Sequence, residues 1–78
     1  MAKRRFYEES ELARLAKEAR ERAGKRKIEV ARELDVAHPA IFNAEEKPEL
    51  SLQKIRIRMI EAYSKYKVVG PVYYLERK

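Results

Sequence analysis

The sequence predicts an all-α domain of four to five helices, two of which meet across a tight turn, with a short C-terminal β-strand. Three observations lead there. Apolar residues recur at helical spacing through most of the 78 residues. Between Lys27 and Lys47 two short amphipathic helices are separated by a turn too tight for ordinary helix packing. After Lys67, β-branched and aromatic residues gather around a Gly-Pro breaker.

The elements follow in order. Residues 1–9 read as a basic arm carrying Lys3, Arg4 and Arg5. A first helix is expected from Ser10, a good N-cap with Glu11 in the first turn, to Ala23, where Gly24 ends it. Its buried stripe is Leu12, Leu15, Ala16, Ala19 and Ala23. The next helix places Ile28, Ala31 and Leu34 on one face, Asp35 interrupts, and Val36 re-enters the core. A further helix opens at His38-Pro39, where proline fits because the first-turn N–H has no helical partner anyway. Ile41 and Ala44 face inward there, and His38, Pro39, Phe42 and Asn43 project outward. Pro48 marks a loop, and Ser51 is expected to cap a last helix reaching about Tyr66, with Leu52, Ile55, Met59, Ala62 and Tyr63 inward and Ile57 and Ile60 broadening the stripe. Residues 10–66 then form the helical domain and 67–78 a strand segment. Gly70-Pro71 is not two-residue hairpin chemistry, so the tail is not expected to fold back on itself. A lone strand needs a partner, which points to the same strand of a second subunit, with Val69, Val72, Tyr73, Tyr74 and Leu75 at the interface.

Val30-Ala31, Val36, Ile41 and Glu45 together resemble the Cro/repressor (XRE-type) helix-turn-helix regulators. The likeness extends back to Leu12 and Leu15 and forward to Leu52 and Ile55, roughly two-thirds of the chain. Two positions depart from the pattern: Asp35 and Lys47 stand where glycine is common in the family, and the connection after the second helix of the unit is about one residue shorter. The resemblance implies a helix-turn-helix, repressor-like domain, a recognition helix at 38–45, and double-stranded DNA as partner, bound at a two-fold operator by a homodimer. It also implies that Glu45 anchors the unit to the first helix, through Arg14 or another basic residue there. The expected base contacts are His38, Pro39, Phe42 and Asn43; amide side chains pair bidentately with adenine, and apolar groups meet thymine methyls.

Charge qualifies this reading. The net +6 divides into +5 over residues 1–27, −4 over 28–53 and +5 over 54–78, so the unit itself is acidic. Phosphate attraction is expected from Lys3, Arg4 and Arg5, from Lys25, Arg26 and Lys27, and from Lys54, Arg56 and Arg58. The acidic centre keeps an alternative open, an antitoxin-type or other protein-interaction module in which Phe42 and the tyrosine-rich tail contact protein.

Composition excludes other classes. A chain of this length buries only about 60% of its unfolded surface, so its stability margin is thin. Without cysteine and with one histidine, no disulfide framework, thiolate metal site or His cluster is expected, and no cofactor. Two glycines make no phosphate loop, and Ser10, Ser51 and Ser64 have simpler cap or helix roles than a catalytic triad with His38, so no enzyme is expected. No apolar run approaches the ~20 residues of a membrane span, and MAKRRFYEES lacks a signal peptide's apolar segment, which points to the cytoplasm. Charged residues make up 41%, with many Glu and one each of Asp, Asn and Gln, the bias of proteins from hot environments.

Overall fold

A computed structural model describes residues 6–70 and 73–78. The order is β1 (Phe6–Tyr7), α1 (Glu9–Arg22), α2 (Lys27–Leu34), α3 (His38–Glu46), α4 (Gln53–Tyr63), β2 (Tyr66–Val69) and β3 (Tyr73–Arg77).

The helices begin and end for local reasons. The N–H of Glu8 donates to the Glu11 carboxylate at 3.1 Å, so α1 starts just before Ser10, which sits inside its first turn. Gly24, at φ +70°, lets the N–H of Lys25 reach back to the Arg20 carbonyl at 3.2 Å and that of Gly24 to Glu21 at 3.0 Å, a double closure of the helix end. The same pattern ends α2. Asp35 takes the left-handed conformation (φ 56°), which Asp tolerates better than most residues, and the N–H of Val36 bonds the Ala31 carbonyl at 3.0 Å. Three residues later α3 opens, so α2 and α3 form a helix-turn-helix pair. Helix α4 stops at Tyr63, short of the expected Tyr66, and its N-cap is Leu52 rather than Ser51.

The core joins all four helices: Leu12 and Ala16, Val30, Ala31 and Leu34, Ile41 and Ala44, Met59 and Ile60. Each larger side chain there contributes about 1.5–3 kcal/mol by leaving water. Helices α1 and α4 share the broadest contact. Ala23 and Ala62, expected inward, are exposed, and Ala13 is buried instead.

The all-α expectation is corrected: the described residues form four helices and a three-stranded antiparallel sheet, ordered β1-β3-β2. The tail does fold back. Tyr66 pairs with Arg77, Lys67 with Glu76, Val68 with Leu75 and Val69 with Tyr74, and β3 takes Phe6 and Tyr7 on its other side, opposite Tyr74 and Tyr73. Strand β2 ends at Val69 and β3 begins at Tyr73, so three residues and not two separate them in the sequence. At Gly70 the Tyr73 ring approaches closely: a Cβ there would lie 2.9 Å from it, so a larger residue would displace the ring. Strand β3 therefore finds both partners within its own chain, and the reason for seeking a second subunit's strand falls away. The outer edge of β2 is also occupied: the N–H of Val68 donates to Glu61 at 3.0 Å and that of Tyr66 to Ser64 Oγ at 3.2 Å. Tyr7, Val68, Tyr73 and Leu75 pack on the helical core, so alternation places Phe6, Val69 and Tyr74 on the outer face, with Phe6 edge-on to Tyr74 at 5.9 Å. Val72, an expected interface residue, lies outside the described residues.

Candidate nucleic-acid interface

The inward side of α3 is fastened to three other elements. Ile41 and Ala44 enter the core, and Glu45 is buried against Arg20 of α1, whose Nε lies 2.5 Å from one carboxylate oxygen and whose second nitrogen lies 3.0 Å from the other. This fork is the anchor that the resemblance implied; its basic member is Arg20, while Arg14 pairs with Glu18 at 2.9 Å. Arg20 also donates to the Lys25 carbonyl at 2.8 Å, so one guanidinium holds the end of α1, the entry to α2 and the body of α3. The contact with Glu45 raises the pKa of Arg20.

The outward side carries His38 and Pro39, both exposed, Phe42, 46% exposed, and Asn43, half-buried. The side chains of His38 and Asn43 make no hydrogen bond or ion pair among the described residues. Phe42 is engaged: the Lys27 ammonium sits 5.2 Å from its ring centroid, which brings a cation of α2 to the exposed edge of α3.

The basic residues divide into two groups. Several are spent inside the fold. Arg56 is fully buried, and its guanidinium donates to the carbonyls of Ala44 (2.9 Å), Leu50 (2.8 Å) and Lys47 (2.8 Å), closing the C-terminal end of α3 and the loop beyond it. Expected on phosphate, Arg56 is instead a structural cap. Arg58 donates to the Leu34 carbonyl at the end of α2 (2.6 Å), and Lys78 to the carbonyls of Glu61 and Ser64 at the end of α4. Helix C-termini present unsatisfied carbonyls and negative dipole ends, so cations cap them well. Lys25 and Arg26 pair with Glu33 (2.8 Å) and Glu29 (3.4 Å), and Lys17 with Glu46 (3.0 Å). The second group is exposed. The side chains of Arg22, Arg32, Lys47, Lys54, Lys65 and Arg77 make no ion pair or hydrogen bond among the described residues. Lys27, Lys47 and Lys54 belong to the start of α2, the end of α3 and the start of α4. Lys3, Arg4 and Arg5 lie outside the described residues.

The buried role of Arg56 had a signal in the sequence. It stands four residues after Leu52 and three before Met59, on the apolar stripe of α4, and a cation at an inward helical position must find carbonyls or a carboxylate.

Among the described residues no group of three or more His, Cys, Asp or Glu side chains is placed to hold a metal, and no helix is long and apolar enough to cross a membrane. Comparisons with models of known protein families, with curated proteins and with solved structures find no match.

Proposed function

We propose that the chain is a sequence-reading, double-stranded DNA-binding regulator of the Cro/repressor helix-turn-helix type, with α3 in the major groove. One observation supports the reading: α3 is fastened by Ile41, Ala44 and the Glu45–Arg20 fork, while the side chains of its outward His38 and Asn43 make no hydrogen bond or ion pair among the described residues. A rigid scaffold presenting uncommitted polar groups is what base readout needs, since bidentate contacts tolerate little misplacement. Phosphate contact falls to Lys27, Lys47 and Lys54, which surround α3 in the chain, together with the Lys3-Arg4-Arg5 arm.

A two-fold operator requires two copies with recognition helices about 34 Å apart. With the β2 edge capped by Glu61 and Ser64, pairing is assigned to the outer sheet face of Phe6, Val69 and Tyr74. There the neighbouring Lys67–Glu76 pair (3.1 Å) offers both charges to a two-fold mate. Of the residues assigned from the sequence, Val69 and Tyr74 suit this face, whereas Tyr73 and Leu75 are turned into the core.

Fluorescence titration with random duplex DNA at two salt concentrations tests the reading. Three to six phosphate contacts give a log–log slope of roughly −3 to −5. A flat slope, or no binding at low salt, refutes it. The protein-interaction alternative draws on the neutralised Lys25 and Arg26 and on the exposed Phe42, and predicts that flat slope.

A further inference from the structure

We propose that the groove between α1, the end of α4 and the sheet is a binding site for a small amphipathic anion, such as a medium-chain or aromatic carboxylate. Leu15, Ile60, Tyr63 and Leu75 give it an apolar floor, and Arg22 and Lys65 stand at its rim. Its volume of about 380 Å³ is within the roughly 300–1,000 Å³ range of sites that take small organic ligands.

Charge selects the ligand class. In a chain that uses many cations as caps and bridges, Arg22 and Lys65 are two that make no ion pair or hydrogen bond among the described residues, and both line this groove. The acid lining it, Glu18, is held by Arg14 at 2.9 Å, so the mouth remains net positive. The floor is preformed, because the Tyr63 hydroxyl donates to Glu33 of α2, which fixes the ring. An extended peptide is a poor occupant. It would lie along β2, whose outward N–H groups at Tyr66 and Val68 are already bonded to Ser64 and Glu61. A compact ligand with one carboxylate and an apolar body matches floor and rim together.

Calorimetric titration of the full chain with octanoate, 1-octanol and octylamine tests this without DNA. Octanoate is expected to saturate and to bind about fivefold to tenfold tighter than octanol, the yield of two exposed charge contacts, with octylamine weakest. Amide NMR shifts should centre on Leu15, Ile60, Tyr63 and Leu75. The exposed double substitution Arg22→Gln/Lys65→Gln should remove the preference for octanoate over octanol, while Arg32→Gln keeps it. Lack of saturation, equal binding of octylamine, or an unchanged preference in the double variant overturns the proposal.

Discussion

Replacing Arg56 by methionine keeps most of the buried volume and removes the guanidinium that closes α3. The three hydrogen bonds lost measure 2.8–2.9 Å, and bonds from a charged donor contribute roughly 1.5–3 kcal/mol each before the cost of burying the charge. That cost is real here: burial lowers the Arg56 pKa, more distant Glu9 and Glu49 offset only part of it, and no carboxylate among the described residues forms an ion pair with it. Relieving it offsets part of the loss. After substitution the carbonyl of buried Ala44 has no obvious substitute donor, while those of exposed Lys47 and Leu50 gain water. The balance is a loss of about 2–4 kcal/mol, from a total that for 78 residues is only about 4–12 kcal/mol. With a urea slope near 1 kcal/mol per molar, the far-UV circular dichroism midpoint should fall by about 2–4 M. Arg56→Lys should recover less than half, because an ammonium on one stem cannot span three carbonyls. A midpoint within about 0.5 M of the parent would refute the capping argument. Should the folded variant instead lose about one unit of DNA salt slope, Arg56 reaches phosphate after all.

Glu45→Gln leaves Arg20 facing a neutral amide and should cost about 3 kcal/mol in the same assay, whereas Arg14→Gln should cost under about 0.5 kcal/mol. Burial and Glu33 push the Tyr63 pKa up to about 12, so its contribution to stability is present below the ordinary value of 10.0 and lost as pH rises through about 12. Absorbance at 295 nm should show a late tyrosinate step that Tyr63→Phe removes. On the acid side, Lys25 and Tyr63 lower the pKa of Glu33, and Lys17 lowers that of Glu46; stability from these pairs holds above the ordinary 4.5 and falls as pH drops through the lowered values. A melting temperature indifferent to pH between about 5 and 3 would contradict it. Asn43→Ala should lose about 1–3 kcal/mol on a preferred duplex and almost nothing on random DNA; equal losses would show that Asn43 does not read sequence. A chain ending at Lys67 removes β3 and with it Tyr73 and Leu75 from the core, so it should unfold at a much lower temperature rather than persist as a stable helical monomer.

Four helices and the α2-turn-α3 pair were legible in the sequence because their causes are local. Apolar spacing fixes a face, Gly24 and Asp35 accept left-handed backbone, and Pro39 suits a first helical turn. The outward residues of α3 followed from the same periodicity. The anchor at Glu45 was legible only through resemblance, and its partner Arg20 is 25 residues away, where side-chain reach across packed helices decides among Arg14, Arg20 and Arg22. The sheet was not legible. Phe6-Tyr7 is too short to show a two-residue period, and its pairing with Tyr73-Tyr74 joins opposite ends of the chain.

What the sequence by itself determined is therefore the set of helices, their inward faces and the basic balance of the flanks. Only the tertiary structure decided what each cation does. A guanidinium goes to whichever carbonyls or carboxylates lie within reach once the helices pack, which draws Arg56, Arg58 and Lys78 to helix ends and Arg20 to Glu45. It leaves Lys47 at the end of α3 and Lys54 at the start of α4 exposed, and Arg22 and Lys65 lining the groove. Formal charge is a property of composition, but available charge is what remains after the fold has satisfied its own unpaired backbone groups.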